Sequence, residues 1–242
     1  MRNVSWLGIV RHGESTGNVA AVRAQADLAE TIDIDLRDAD VPLSSTGKTQ
    51  ARAVREWMAS SSTTPPDAVV VSPFRRARET AELALEGLAL TPTVDERLRD
   101  RDLGVLDLLT KTGIEARMPE ESRRRARLGK FYYRPPGGES WADVLLRLRS
   151  LLRDIDEDHP QERVLLFAHD ATVSMMRYLL EGMDEQTLME TARKTPIANC
   201  SISSWRREGR TWVPEVFNDV SHIEQADAAE PTAEEDVDAQ IK

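Results

Sequence analysis

The residues best suited to chemistry stand together in the run Arg-His-Gly-Glu-Ser-Thr-Gly-Asn at positions 11–18. His12 offers an imidazole that can act as a nucleophile, and Arg11 beside it carries a fixed positive charge. The two glycines of the run allow backbone N–H groups to approach a ligand closely. The run therefore indicates a site for an anionic group beside a nucleophile. The alternative is a loop with one solvated histidine, because an Arg-His-Gly triplet by itself is a weak motif.

Short apolar segments predict the strands that position this run. The strand signals are VSWLGIV at 4–10, AVVVS at 68–72 and RVLLFA at 163–168, and a further short strand is expected around Val94. Helical periodicity fills the intervals and predicts helices over 47–60, 73–87, 140–155 and 172–180. Ser140 is a suitable N-cap and Gly182 a suitable C-cap for the last two of these helices.

The alternation of strands and helices predicts an α/β fold, a three-layer α/β/α sandwich with a mostly parallel central sheet. In such sheets ligands bind beyond the carboxyl ends of the strands. Arg11, His12, Ser72 and His169 all lie at predicted strand ends, so we expect them to converge. No boundary divides residues 1–223, which are expected to form one domain.

The composition excludes several classes of protein. The 242 residues are 40% hydrophobic and include a single cysteine, which is enough apolar material for a core but cannot form an internal disulfide. No apolar run approaches the roughly 20 residues of a membrane span, and the first residues lack the pattern of a signal peptide. We therefore expect a cytoplasmic protein that has no membrane partner.

The net charge of −10 is unevenly distributed along the chain. Residues 224–242 contain seven acidic side chains and one lysine, with no aromatic residue. Such a composition predicts a solvated, disordered tail. An acidic protein is also a poor partner for nucleic acid, because phosphate backbones are bound by basic surfaces.

Further segments resemble those of a known family and occur in the same order. They are VPLSSTGKTQA at 41–51, VSPFRRARETA at 71–81, LRDRDLG at 98–104, PPGGES at 135–140 and LLFAHD at 165–170. With the run at 11–18, they make the chain resemble the histidine phosphatase superfamily, in its phosphoglycerate mutase-like branch (branch 1), over nearly all of residues 5–205. Several weak motifs in one order make a strong signal.

The resemblance assigns roles to individual residues. It makes His12 the nucleophile that becomes phosphohistidine, with Arg11 and Asn18 holding phosphoryl oxygens and Ser15 in the same phosphate-binding run. Arg76 matches the phosphate-binding arginine, because the family's Ser-x-x-x-Arg-Ala pattern places that residue before the alanine. From spacing alone, Arg76 would read equally well as a surface arginine of a helix.

His169 matches the family's second histidine; without the resemblance it could be a core imidazole bonded to backbone. A phosphoryl group in transfer spreads negative charge over three oxygens, which two guanidiniums and imidazole donors can stabilise. The expected substrate is therefore a small phosphorylated molecule, and no metal ion or other cofactor is expected.

The general acid is the position where the chain departs from the family pattern. Mutase-like members usually carry a glutamate four residues before the glycine of LRDRDLG, where this chain has Asp100. Asp170, in AHDAT at 168–172, matches instead the proton donor of the acid phosphatases and phytases. We favour Asp100 because the other segments follow the mutase-like branch. The plainer alternatives are a salt-bridging carboxylate for Asp100 and a helix N-cap for Asp170.

Residues 105–139 are expected to form an inserted lid or substrate-specificity segment. The segment contains a run of basic residues and ends near Tyr132, Tyr133 and Arg134. A charge run is usually the solvated face of a helix. The alternative is a lid whose cations and aromatic rings select an anionic substrate.

Three functions agree with these residues. In a phosphomonoesterase, water takes the phosphoryl group from His12; in a mutase, the group returns to a bound sugar acid. The segment after Asp100 does not resemble the substrate loop of true phosphoglycerate mutases, which favours hydrolysis. The third function is a catalytically weak, phosphate-binding interaction module, against which the retention of His12, Arg76 and His169 argues.

Overall fold

The computed structural model describes residues 4–60, 63–226 and 230–233. Its strands within these ranges are β1 (Trp6–Arg11), β2 (Ala68–Val71), β3 (Thr93–Val94), β4 (Arg163–Ala168), β5 (Ile202–Glu208) and β6 (Thr211–Asp219). They form one sheet in the order β3-β2-β4-β1-β5-β6. The first four strands in this order are parallel, whereas β5 and β6 are antiparallel to their neighbours. The sheet is mostly parallel, as predicted.

The α-helices of the described ranges cover both faces of this sheet. They are α1 (Thr16–Ala26), α2 (Ser45–Ala59), α3 (Arg75–Leu85), α4 (Lys111–Arg117), α5 (Pro119–Leu128), α6 (Trp141–Asp158), α7 (Asp170–Glu181), α8 (Glu185–Lys194) and α9 (Ser221–Gln225). One hydrophobic core joins the sheet to α6, α7 and α8, and a second joins it to α2, α3 and α9. The predicted three-layer sandwich is confirmed.

The central strand β1 shows why its sequence signal is clear. Leu7 and Ile9 enter the first core, whereas Trp6 and Val10 enter the second. Successive side chains of a strand point to opposite faces. A parallel strand buried on both faces therefore has an unbroken apolar sequence.

Local capping signals also correspond to real helix ends. Ser140 caps α6 and forms a capping box with Asp143. Gly182 ends α7 in the left-handed conformation, with φ 66, which glycine adopts at little cost.

The antiparallel hairpin of β5 and β6 has no counterpart in the sequence prediction. β6 is largely exposed at the edge of the sheet and contains Pro214, a position at which proline is tolerated. α1 was also not predicted, because its sequence has no apolar stripe. Neighbouring strands position the hairpin, and the adjoining loops position α1. Neither element is marked by a local sequence pattern.

Most of the acidic tail predicted to be disordered, residues 224–242, lies outside the described residues. Two described parts of it contact the body of the protein. Glu224 lies in α9, and Gln50 of α2 donates from Nε2 to the carbonyl of Glu230 at 3.1 Å and to Oγ1 of Thr232 at 2.9 Å. Asn199 donates its backbone N–H to the carbonyl of Thr232 at 2.8 Å. Glu230 and Thr232 thus provide partners for the buried amides of Gln50 and Asn199, although residues 230, 231 and 233 are exposed.

None of the helices in the described ranges combines the length and the apolar character that crossing a membrane requires.

The contacts of Thr232 lead to a prediction about stability. Removal of residues 227–242 deprives the buried amide of Gln50 and the N–H of Asn199 of their partners. We expect the free energy of unfolding, measured by urea denaturation, to fall by about 1–3 kcal/mol. A chain that lacks only residues 234–242 keeps Thr232 and serves as the control, with a change within about 0.5 kcal/mol. Equal stability of the two shortened chains would contradict the prediction.

Candidate active site

The two central parallel strands place two histidines side by side. Arg11 of β1 is in register with Ala168 of β4, so His12 and His169 follow neighbouring strands at the same edge of the sheet. The backbone N–H of His12 donates to the carbonyl of Ala168 at 2.9 Å. The two imidazole rings lie 5.2 Å apart in an edge-on arrangement.

The predicted convergence extends to the next strand. Ser72, which follows β2, lies with its Oγ 2.8 Å from Nε2 of His169. Phe74 packs edge-on against the same ring, with centroids 5.3 Å apart. Three parallel strands therefore deliver polar residues to one place, as the rule for α/β sheets predicts.

The ring of His12 is buried and held in one tautomer. Only 2% of the residue is exposed, and Nδ1 lies 2.7 Å from the carbonyl oxygen of Gly13, an acceptor that requires a proton on Nδ1. Burial, followed by the charges of Arg76 and Arg11, holds the pKa of His12 well below its usual range. A neutral ring with Nδ1 protonated keeps its lone pair on Nε2.

Close backbone packing fixes the loop that follows His12. Gly13 donates its N–H to Oγ1 of Thr80 at 3.0 Å. A Cβ at Gly13 would lie 2.5 Å from the carbonyl oxygen of Gly47, and one at Gly47 would lie 2.0 Å from the carbonyl oxygen of Glu14. No side chain fits at either glycine, so the loop and the first turn of α2 form one packed unit.

A second loop supports His12 from the other side. Asn199, which is buried, donates from Nδ2 to the carbonyl of His12 at 3.1 Å. Cys200 donates its backbone N–H to the carbonyls of Arg11 and His12, at 3.1 and 3.3 Å, and adopts a left-handed φ of 54. Burial raises the pKa of the Cys200 thiol far above its usual range. This second loop therefore holds the backbone of the loop at His12 in place.

Ser15 and Asn18 form the amino-terminal cap of α1. Oγ of Ser15 accepts from the N–H of Asn18 at 3.1 Å and donates to its Oδ1 at 2.9 Å. Both residues line a cavity that also borders His12, Arg76 and Asp100. The start of α1 therefore faces the site. A helix start favours a bound anion, although the hydroxyl of Ser15 is already engaged in the cap.

Two buried guanidiniums supply fixed positive charge. Arg11 is 2% exposed and donates from Nη1 to the carbonyl of Ile197. Arg76, at the start of α3, is 5% exposed and bonds two carboxylates. Its Nη1 donates to Oδ1 of Asp38 at 2.8 Å, and its Nη2 donates to Oδ2 of Asp100 at 2.9 Å.

Asp100 links Arg76 to the second histidine. Its Oδ2 lies 3.2 Å from Nδ1 of His169. Burial alone would raise the pKa of Asp100, but His169 and Arg76 outweigh it and hold this pKa well below its usual range. Burial lowers the pKa of His169 in spite of the nearby carboxylate. These shifts favour an ionised Asp100 and a neutral His12.

Asp170, the other candidate acid, is the first residue of α7 and also lines the cavity. The sequence interpretation of Asp170 as a possible N-cap is corrected by one position, since His169 occupies the cap. Both candidate acids thus stand at the same cavity, in different electrostatic surroundings.

The first part of the 105–139 segment lines this cavity, through Leu106, Asp107, Leu108, Leu109 and Ile114. Its aromatic end does not. Tyr133 is buried beside Leu106 and Ile114 and donates to Glu121, and Arg134 pairs with Asp143 of α6.

Tyr133 and Arg134 thus have partners outside the cavity, and the alternative that Tyr132, Tyr133 and Arg134 select the substrate stays a prediction. The basic residues Arg123, Arg124 and Arg127 are exposed on α5, in agreement with a solvated helix face.

His12, Asp100 and His169 could also be considered as metal ligands, because their potential ligand atoms lie within 4.8 Å of one another. Two imidazoles and one carboxylate suit a transition metal. The adjacent guanidiniums of Arg11 and Arg76 instead favour an anion at the same place. The charge of the surroundings thus agrees better with a bound phosphoryl group than with a cation.

Comparisons with known proteins agree with this geometry. The model of the histidine phosphatase superfamily (branch 1) matches residues 7–220. The chain belongs to this superfamily. A protein named probable phosphoglycerate mutase GpmB, from Salmonella choleraesuis, is 31% identical over 225 residues, which cover 89% of this chain and 94% of the relative. Its namesake from Photorhabdus laumondii is 28% identical with the same coverage.

Solved structures of histidine phosphatases have the same fold. A mycobacterial glucosyl-3-phosphoglycerate phosphatase in complex with VO3 matches with a TM-score of 0.71 and 27% identity, over 89% of this chain and 99% of that chain. The alpha-ribazole phosphatase from Shigella flexneri matches with a TM-score of 0.72 and 20% identity, over 89% and 96% of the two chains. At the latter identity the likeness concerns the fold alone.

Sequence reasoning missed several residues of this histidine phosphatase that contact the site. Asp38 lies on a short 3₁₀ helix (Asp38–Asp40) in an irregular loop, and Asn199 lies in another irregular segment before β5. Neither belongs to a periodic pattern or to a quoted motif. Thr80 could have been found, because it follows Arg76 by one helical turn and therefore shares its face of α3.

The position of Asp38 in this histidine phosphatase predicts an effect on anion binding. Asp38 occupies both terminal nitrogens of Arg76, so an entering anion must compete with it. We expect Asp38→Asn to tighten the binding of inorganic phosphate about three- to tenfold, which corresponds to roughly 1 kcal/mol. Calorimetry measures the dissociation constant, with Asp40→Asn on the same 3₁₀ helix as the control. Weaker binding by Asp38→Asn would instead show that Asp38 serves to hold Arg76 in place.

Proposed function

We propose that this histidine phosphatase is a phosphomonoesterase that hydrolyses a small phosphorylated metabolite through a phosphohistidine on His12. The observation that carries the proposal is the state of the His12 ring. It is neutral and buried, and its Nδ1 proton is engaged by Gly13, so Nε2 is the nucleophilic atom. Nearby, Arg11 and Arg76 supply the charge that a phosphoryl group requires.

In the first step, Nε2 of His12 attacks phosphorus and the bond between phosphorus and the alcohol oxygen breaks. The guanidiniums of Arg11 and Arg76 bind the equatorial oxygens, with Asn18 and the start of α1 on the remaining side. In the second step, water attacks the phosphohistidine, the N–P bond breaks and inorganic phosphate leaves. The guanidiniums then stabilise the negative charge that a metal ion would otherwise stabilise, and we propose that no metal ion is required.

Asp100 is the proposed general acid, although it is ionised in the unliganded site. A bound phosphoryl dianion takes over the guanidinium of Arg76 and places negative charge beside Asp100. Both changes favour the protonated carboxyl. Asp100 then gives this proton to the departing alcohol and takes one from the attacking water in the second step.

Asp170 is the alternative acid, since it is the first residue of α7 and lines the same cavity. We place Asp100 first because it contacts both Arg76 and His169.

A mutase is the second candidate, because relatives at 28% and 31% identity bear the name probable phosphoglycerate mutase. It would use the same attack by His12 but return the phosphoryl group to a bound acid. The carboxylates of Asp38 and Asp107 at the cavity disfavour a second negative charge on the substrate. We therefore place hydrolysis first.

The proposal predicts a covalent phosphoenzyme. On rapid quenching with a radiolabelled phosphomonoester, the protein should carry a label that is stable in base and labile in acid. His12→Ala should lose the label and lower kcat/KM on the order of 10³-fold or more. His159→Ala, which changes a histidine near the start of β4, is the control and should behave as the wild type.

The same assay in EDTA checks the role of metals. Turnover should survive the chelator. Activity that vanished in EDTA and returned with magnesium would contradict metal independence, and wild-type turnover by His12→Ala would contradict the mechanism itself.

The assignment of the acid predicts a dependence on the leaving group. An aryl phosphate with an activated leaving group needs little protonation, whereas an alkyl phosphate needs much. We expect Asp100→Asn to slow an alkyl phosphate on the order of 10²-fold and an activated aryl phosphate far less. Asp170→Asn should affect both substrates to a similar extent.

Burst kinetics on the phosphorylation step, at saturating substrate, separate this effect from changes in binding. A steep leaving-group dependence in Asp170→Asn together with a flat response in Asp100→Asn would transfer the acid role to Asp170.

A further inference from the structure

The cavity at His12 is much larger than a phosphoryl group. Its volume is about 450 Å³, within the range of about 300–1,000 Å³ that holds small-molecule ligands. Beyond the charged residues, much of its wall is aliphatic and comes from two segments of the chain. The side chains are those of Ile32, Ile34, Leu36, Leu106, Leu108 and Ile114.

Backbone bonds hold these two segments together as one wall. Ile32 donates its N–H to the carbonyl of Leu108 at 2.9 Å, and Thr110 donates to the carbonyl of Glu30 at 3.1 Å. Leu108 has a left-handed φ of 58, a conformation that is unfavourable for a bulky side chain. The strained residue lines the cavity, where strain of this kind tends to accompany function.

Three carboxylates and two guanidiniums stand along this wall. Asp38, Asp102 and Asp107 all line the cavity. Burial, followed by the charge of Asp38, raises the pKa of Asp107. A second anionic group on the substrate would be repelled there.

The other two guanidiniums of the wall are engaged with the same neighbour. Arg99 donates from Nη2 to a carboxylate oxygen of Glu139. Arg101 donates from Nε to the backbone carbonyl of Glu139 at 2.7 Å. Arg99 is thus paired with a carboxylate, and Arg101 with a backbone carbonyl.

We infer that the physiological substrate is the phosphomonoester of an apolar, uncharged alcohol whose body lies against the wall of Ile32, Ile34 and Leu108. This inference rests on the proposed function and adds the substrate class to it. Phosphoglycerates, which carry a carboxylate beside the phosphoryl group, are then poor substrates.

Two matched pairs of substrates test the inference. Hexyl phosphate differs from ethyl phosphate by four methylenes, and each should raise kcat/KM about two- to fourfold as it is buried. Glycerol 3-phosphate and 3-phosphoglycerate differ by a carboxylate in place of a hydroxymethyl group. We expect 3-phosphoglycerate to be slower by about tenfold or more. 4-Nitrophenyl phosphate reports the phosphatase activity independently of both comparisons.

Substitutions test whether these substrate preferences arise at the aliphatic wall. Leu108→Asn should lower the ratio of hexyl to ethyl turnover severalfold, since asparagine tolerates the left-handed backbone but is polar. Leu28→Asn is the matched control, because Leu28 also has a left-handed φ, of 52, and is 75% exposed. Asp107→Asn should narrow the gap between glycerol 3-phosphate and 3-phosphoglycerate. Thermal melting confirms that each variant folds.

Binding of ethyl- and hexylphosphonate, which cannot be hydrolysed, tests the wall without catalysis. Tighter binding of hexylphosphonate that Leu108→Asn abolishes supports the inference even if turnover is slow. Equal binding of the two phosphonates, or faster turnover of 3-phosphoglycerate than of glycerol 3-phosphate, overturns the inference. Turnover of 4-nitrophenyl phosphate would then still support the phosphatase proposal. Failure of the phosphatase proposal has a different signature, which is no phosphoenzyme and no turnover of any of these esters.

Discussion

The buried guanidinium of Arg76 imposes the strongest demand on this site. A charge removed from water must be neutralised by partners, because an unpaired one costs several kcal/mol. Asp38 and Asp100 meet that demand in the unliganded protein, and each is positioned by doing so. Asp38 is held at the rim of the cavity, and Asp100 is held against His169. The groups that surround the reaction centre are therefore arranged before any anion arrives.

The sheet brings the other charged and nucleophilic groups to Arg76. Because β1 and β4 are parallel and in register, His12 and His169 leave the sheet at the same level. The backbone of the loop at His12 is then fixed from both sides, by Thr80 of α3 and by Asn199. Packing of Gly13 against Gly47 leaves this loop no room to shift. A rigid loop suits a ring that must present one nitrogen in one tautomer.

The sequence predicts the parts of the site that follow apolar strands. The positions of His12 and His169 could be predicted because β1 and β4 are buried on both faces and therefore have continuous apolar sequences. Asp38 and Asn199 could not be placed, since their contacts come from irregular loops that no period describes. Tyr133 was considered as part of a lid that selects an anionic substrate, and its ring lies in a small core with Leu106 and Ile114.

The tail and the hairpin show the same limit at the level of the fold. Acidic composition predicts solvation for residues 224–242, yet composition does not reveal that Gln50 and Asn199 need partners which Thr232 provides. The hairpin of β5 and β6 extends a sheet whose other strands are parallel. Its sequence pattern is interrupted by register shifts between Ile202 and Trp205, so alternation alone does not identify it.

Cys200 is the sole thiol of the chain, and it lies where the loop at His12 is anchored. Its N–H donates to the carbonyls of Arg11 and His12, while burial keeps the sulfur protonated and out of contact with solvent. Alkylating reagents attack thiolates that solvent can reach. The rate at which such a reagent labels the folded protein therefore reports the rate at which the loop around His12 opens.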